Sequence, residues 1–313
     1  MSEFVYTRDI YGKTLVELGK KHPEIVVLDA DLSSSTRTSF FRKEFPNRFF
    51  NLGVAEQNMM GVAAGLASCN KVVFVSTFAM FATGRCWDQI RNTICYNEFN
   101  VKIVATHGGI TVGPDGSSHQ ALEDIALMRS IPGMKIIVPC DAEETREAII
   151  SAYNIPGPFY IRLGRPKFPI IKGKKKFQFG KGYVIEEGRD ISIVACGFMV
   201  YQALQARKIL TKEGIRARVI NIHTIKPLDE ELIISSFRQT KRMVICEEHS
   251  IIGGLGSAIC ELIGTNFKLE KIKLVGTRDR FGQSGEPQEL LEEYKLSSLD
   301  IVDAAKKLLE ENS

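Results

Sequence analysis

The sequence predicts an α/β protein of two domains, each a mostly parallel sheet flanked by helices. Three observations carry this prediction. Short apolar, β-rich runs alternate with longer segments of helical period, the pattern of parallel strands covered on both faces. The chain has 313 residues, enough for two domains at roughly 100–200 residues each. A stretch rich in Pro, Lys and Gly interrupts the alternation near the middle of the chain.

In chain order, Arg8 lies ahead of the first helix, and Ile25 to Asp29 reads as the first strand. Gly53 to Ser68 reads as a helix of small and apolar residues, followed by a strand from Lys71 to Val75. Val101 to Ala105 is a strand that runs into Thr106-His107-Gly108-Gly109. Lys135 to Val138 is another, after which Pro139-Cys140-Asp141 opens a helix over Ala142 to Tyr153. Phe159 to Leu163 closes the first domain, taken as residues 1–170.

Residues 171–189 read as a linker. They contain KGKKKF at 172–177, a run that is either a solvated face or an anion site, and then Gly180, Gly182 and Gly188. The second domain, 190–313, repeats the alternation. Ile191 to Cys196 is a strand, Val200 to Glu213 an amphipathic helix stopped by Gly214, and Ala217 to Ile222 and Met243 to Glu247 are strands. IIGGLG at 251–256 precedes a helix over Ser257 to Ile263. A strand, glycines and a helix in this order make either an anion site at the helix N-terminus or a close packing of helix on sheet.

Composition excludes several function classes. A net charge of +4, spread along the chain, does not suit a nucleic-acid partner. No apolar run reaches the ~18 residues needed to span a membrane. The N-terminal MSEFVYTRDIYGK has no apolar signal core. The seven cysteines are odd in number and show no CxxC pair, so they read as reduced core thiols. The expected location is the cytoplasm.

Four constellations are candidates for chemistry. Glu56 is the only charged residue in NLGVAEQNMMGVAAGLAS (51–68). It is either a helix-start carboxylate favoured by the dipole or a buried group with a dedicated partner. Phe78 and Phe81, three apart, form either a core stripe on one helical face or a stacking platform for a flat heterocycle. THGGITVGPDGSSHQALED (106–124) places His107, Asp115 and His119 among four glycines beyond a strand end. Ligands gather there in parallel sheets, and these side chains can move protons near neutral pH. The loop matches no standard metal-ligand spacing. Arg8, Arg162 and Arg165 are either surface ion-pair residues or, with Ser35 and His107, a phosphate site suited to guanidinium forks.

Taken together, these motifs resemble the C-terminal part of transketolase. The resemblance covers nearly the whole chain and rests on ATHGGITVGPDGSSHQALEDIALMRSIPGMKIIVPCD, INIHTIKPLDEELI and CEEHSIIGGLGSAI. It implies a pyrimidine-binding domain at 1–170, a transketolase C-terminal domain at 190–313, and thiamine diphosphate as cofactor. By this resemblance Glu56 is the glutamate that bonds N1′ of the aminopyrimidine. A carboxylate there favours the imino tautomer and so puts a base beside the thiazolium carbon that must lose its proton. Phe78 and Phe81 match positions that stack on the pyrimidine, and Asp31 matches an aspartate near the cofactor. Gly84 stands where the family often has a third aromatic. Arg8, Ser35, His107 and Arg165 match residues that hold the sugar phosphate, with Arg162 a weaker candidate. His119, the second catalytic candidate, matches a histidine at the hydroxyls of the reacting carbons, and Asp115 matches an aspartate that reads a hydroxyl's stereochemistry.

The family's Gly-Asp-Gly motif, which holds Mg²⁺ and the diphosphate, does not occur in these 313 residues. The resemblance therefore implies an N-terminal partner subunit carrying it and an α2β2 heterotetramer. The implied activity is transfer of a two-carbon ketol group between sugar phosphates, the transketolase reaction of the pentose phosphate pathway. The rivals are the beta subunit of a 2-oxoacid dehydrogenase decarboxylating component, deoxyxylulose-phosphate synthase, and a non-catalytic transketolase-like partner. The first does not need a sugar-phosphate cluster, and the last does not need Glu56, Phe78, Phe81 and His119.

Overall fold

The computed structural model describes residues 3–171, 176–265 and 271–310. Its strands are β1 (Phe4–Tyr6), β2 (Ile25–Asp29), β3 (Phe49–Asn51), β4 (Val72–Ser76), β5 (Val101–Ala105), β6 (Lys135–Ile137), β7 (Phe159–Arg162) and β8 (Lys167–Pro169) in the first half. The second half contributes β9 (Tyr183–Glu186), β10 (Ile191–Ala195), β11 (Ala217–Asn221), β12 (Thr224–Lys226), β13 (Met243–Ser250) and β14 (Ile272–Thr277). A seven-stranded sheet has the order β12-β6-β7-β5-β4-β2-β3, a five-stranded sheet the order β14-β13-β10-β11-β9, and β1 pairs with β8 apart from both. Within the two large sheets every pairing is parallel except β12 on β6 and β9 on β11. The expected mostly parallel α/β architecture is therefore the one observed.

The reason lies in the strands themselves. Every residue of β2, β4, β5, β10 and β11 is buried. Strands without an outward polar face require helices on both sides of the sheet. One of these, Ala142–Asn154, is started by Asp141, whose side chain accepts from the Glu144 amide at 2.9 Å. The helix expected from Gly53 begins at Glu56 and runs to Ser68. Five of the seven cysteines are buried, Cys260 is intermediate and Cys69 is exposed.

The two halves are joined more closely than the sequence suggests. β9 lies inside the segment read as a linker and forms the edge of the second sheet. The lysines at 172–175 lie outside the described residues. β12 belongs by sequence to the second half yet pairs antiparallel with β6 of the first sheet, Thr224 against Ile137. One apolar cluster accordingly runs from Val75 and Ile103 through Val138 to Val194, Ile220 and Ile245. The glycine-rich 251–256 segment does not offer an open anion site. Its helix N-terminus, at Leu255 and Gly256, already donates two amides to the buried Glu247 carboxylate, both at 2.7 Å.

Candidate active site

The carboxyl ends of β2, β4, β5 and β7 reach the same edge of the first sheet, and the loops that leave them carry the candidate residues. After β2 the chain folds back over Asp29. Its fully buried carboxylate accepts from the Leu32 amide (2.6 Å) and from the Thr36 and Thr38 hydroxyls (2.7 and 2.8 Å). Burial pushes the Asp29 pKa up to about 6, against the opposing pull of these donors. The folded value lies above the unfolded one, so the contribution to stability is complete below about pH 4 and is lost as pH rises past 6. From about pH 4 to pH 7 the wild type should lose about 3 kcal/mol relative to Asp29→Asn, read from urea midpoints of both proteins. Parallel pH profiles would rule this out.

That folded-back turn presents Ser33 to Thr38 to the N-terminal helix, Thr7–Lys21. Arg8 donates to the Ser35 carbonyl at 3.1 Å. Arg37 donates to the Ser34 carbonyl and to Asp9, both at 2.6 Å. Antiparallel pairing of β1 and β8 sets Tyr6 opposite Lys167, just before the helix begins at Thr7, and the Arg165 charge acts on Arg8. Arg165 in turn donates to the Val112 carbonyl at 2.7 Å.

Phe78 is not on a helical face, as its spacing with Phe81 suggested. It continues β4 into a bridge with Thr106, and Phe81 begins a π-helical turn ending at Arg85. The rings still converge. Phe78 stacks on His107 at 3.8 Å between centroids and on Phe81 at 6.0 Å. His119 meets Phe78 and Phe81 edge-on, at 6.2 and 5.2 Å. His107 Nδ1 is bonded to the Thr106 hydroxyl at 2.8 Å. Burial, then Arg8, Arg165, His119 and Arg37, push the His107 pKa down to about 3, so the imidazole is neutral at pH 7.

Glu56 is the first residue of its helix, only 2% exposed, and takes a 2.7 Å ion pair from Arg85. The two sequence readings thus coincide: the carboxylate sits at the favourable end of the dipole and has a dedicated partner. The π-turn, one residue wider than an α-turn, ends at that arginine. Arg85 also lies 4.9 Å over the Phe81 ring, which ties Glu56 to the aromatic group.

The loop between the two histidines is braced from the second half of the chain. Buried Glu248 accepts from the Thr111 amide and hydroxyl, both at 2.7 Å. Gly109, at φ +94°, is required there, because a Cβ would lie 2.2 Å from the Glu248 carboxylate. Arg162 is not part of the cationic cluster. It is buried, paired with Asp124 at 2.7 Å, and donates to the carbonyls of Ala121 and Glu248. Tyr160 shares the same Asp124 oxygen at 2.5 Å.

Two candidates stand apart. Asp31 is exposed, at φ +66°, and its backbone and side chain are both held by Asn51. Asp115 is exposed at the end of the Ile110–Asp115 turn, and no hydrogen bond or ion pair among the described residues draws it into the cluster. Asp29, Arg37, Arg85 and Glu248 were missed by sequence reading. Only Arg37 left a signal, as a cation two residues after Ser35.

A buried carboxylate linked through Arg85 to a face of stacked rings suits one edge and one face of an aminopyrimidine. Among the described residues no group of three or more His, Cys, Asp or Glu side chains could hold a metal ion.

Comparisons with known proteins identify the domains of the chain. A family model described as transketolase, pyrimidine binding domain, matches residues 4–170, and one described as transketolase, C-terminal domain, matches 180–301. A putative transketolase C-terminal section from Methanocaldococcus jannaschii is 50% identical, covering 96% of this chain and 94% of that one. A 6-deoxy-6-sulfo-D-fructose transketolase subunit from Clostridium sp. is 41% identical over 97% of this chain and 95% of its own. A solved structure described as a split gene transketolase, inactive beta4 tetramer, superposes with a TM-score of 0.89 at 51% identity, covering 98% and 99% of the two chains.

Proposed function

Since this chain belongs to the transketolase family through both of its domains, we propose that it is the C-terminal subunit of a split transketolase. It transfers a two-carbon ketol group from a ketose phosphate to an aldose phosphate. The observation that carries the proposal is the buried Glu56 carboxylate, joined through Arg85 to the Phe78, Phe81, His107 and His119 cluster at the ligand-binding edge of the sheet.

Thiamine diphosphate, when bound, supplies the carbanion chemistry that side chains lack. This chain's residues take the pyrimidine end: Phe78 and Phe81 stack on the ring, and Glu56 accepts a hydrogen bond from N1′. Asp31 contributes at the cofactor's edge. His119 exchanges protons with the hydroxyls at the reacting carbons, and Asp115 reads the configuration of a hydroxyl. Arg8, Ser35, His107 and Arg165 hold the terminal phosphate. The diphosphate and Mg²⁺ fall to an N-terminal partner subunit carrying Gly-Asp-Gly, in an α2β2 assembly in the cytoplasm.

Co-expression with that partner tests the proposal. The purified chain alone should give no ketol transfer from xylulose 5-phosphate to ribose 5-phosphate, and the co-purified complex should turn over. Robust Mg²⁺-dependent turnover by the single chain would overturn the split-enzyme reading. A complex that preferred pyruvate would point instead to one of the decarboxylating relatives.

A further inference from the structure

The anion-binding edge carries one more guanidinium than the sequence motifs assign. Arg8 and Arg37 grip adjacent carbonyls of one turn, Ser35 at 3.1 Å and Ser34 at 2.6 Å. Arg37 holds the left-handed conformation at φ +71°, and the N-terminal helix is shaped to receive it. A Cβ on Gly12 would lie 2.6 Å from the Arg37 carbonyl oxygen and 2.9 Å from its Cβ. Arg165, bonded to the Val112 carbonyl, lies close enough for its charge to act on Arg8. The Nε of Arg8 is buried without a hydrogen-bond partner.

The charges around this point are unbalanced. Arg8, Arg37 and Arg165 are cationic, and Arg37 is paired with Asp9. His107 is held neutral by burial and by the arginines, and His119 lies beyond it across the aromatic cluster. Tyr6 carries Arg8 and the exposed Lys167 against its ring. Three guanidinium groups against Asp9 and, above about pH 6, the Asp29 carboxylate held by Thr36 and Thr38 leave a surplus of one positive charge, and Lys167, which shares the Tyr6 ring with Arg8, brings it to two. A terminal phosphate monoester carries close to two negative charges at pH 7, and a sulfonate carries one at any working pH.

We infer that Arg37 is a specificity-determining residue, and that the site it completes is matched to a dianionic terminal phosphate over a monoanionic terminus of similar shape. The inference rests on the phosphate reading of Arg8 and Arg165 proposed above. The selectivity follows from net charge at the site, which a fixed cation at position 37 supplies whatever its donor geometry.

Methyl phosphate and methanesulfonate, titrated against the assembled complex with the His107 imidazole NMR signal as reporter, separate these ideas. The wild type should prefer methyl phosphate by roughly ten- to hundredfold at pH 7.5, the range one or two charge-assisted hydrogen bonds supply. The preference should shrink to a few-fold at pH 5, below the second phosphate ionisation near pH ~6. Arg37→Gln should reduce the pH 7.5 preference about tenfold, and Arg37→Lys, which keeps the charge, should retain most of it. If Arg8→Gln and Arg165→Gln abolish the preference while Arg37→Gln leaves it intact, the Arg37 inference fails and the phosphate reading survives. If none of the three changes it, both fail. Equal loss in Arg37→Gln and Arg37→Lys would assign Arg37 to the geometry of the turn and overturn the charge matching.

Discussion

Glu56→Gln in the assembled enzyme should lower kcat by about 10³-fold, within the range for removing a proton-transfer partner, while the fold persists. Gln preserves the side-chain volume and can still accept from Arg85. On the proposed function, it loses the negative charge that would favour a protonated N1′. The ion pair with Arg85 contributes little to stability, because the Arg85 side chain is about half exposed at 47%. Two measurements separate chemistry from folding: exchange of the thiazolium C2 proton of bound cofactor, and the urea midpoint. Exchange at the wild-type rate would make Glu56 a structural residue.

Arg162→Met is the substitution with the largest expected effect on stability. It leaves Asp124 buried and charged, with only the Tyr160 hydroxyl on the oxygen both residues share. Removing one partner of a buried pair costs about 3–5 kcal/mol. Adding Asp124→Asn should recover part of that loss, since the stranded charge is then gone. A loss below about 1 kcal/mol would show that water reaches Asp124 and that the pair is a surface interaction in effect. The activity of the complex should fall as well, because Arg162 also fastens the Ala121 and Glu248 carbonyls beside the histidine loop.

The frame of the fold was legible where local pattern dictates structure. Ile25–Asp29 and Val101–Ala105 are apolar runs bounded by polar or glycine-rich segments, and both are strands over those same residues. β12 was not legible. Three residues between His223 and a proline carry too little periodicity to mark a strand, and its partner β6 lies some ninety residues earlier. The site divides in the same way. Glu56, the two phenylalanines and the two histidines stand out as unusual residues in their segments. Phe78 was misplaced because a spacing of three fits a helix as well as a strand end followed by a turn. Glu248 and Arg85 look ordinary in sequence, and Arg162 suggested a phosphate site rather than the buried pair it makes with Asp124. Their meaning comes from contacts over long separations: Glu248 reaches Thr111 across 137 positions.

The crossing of β12 into the first sheet bears on how the molecule can be divided. Cutting the chain at residue 170 to obtain a stand-alone first half would strip β6 of its outer neighbour and leave its unsatisfied amides and carbonyls facing solvent beside the apolar Ile136 and Ile137. An exposed apolar edge of this kind templates intermolecular pairing. The fragment would also lose Lys226, whose ammonium group ties the carbonyls of Arg129 and Ile131. Insolubility of such a fragment would therefore report a severed sheet rather than an intrinsically weak domain. The two halves are better regarded as one cooperative folding unit, melting in a single transition, with amide protection in β6 lasting as long as that of β10 and β11 in the second half.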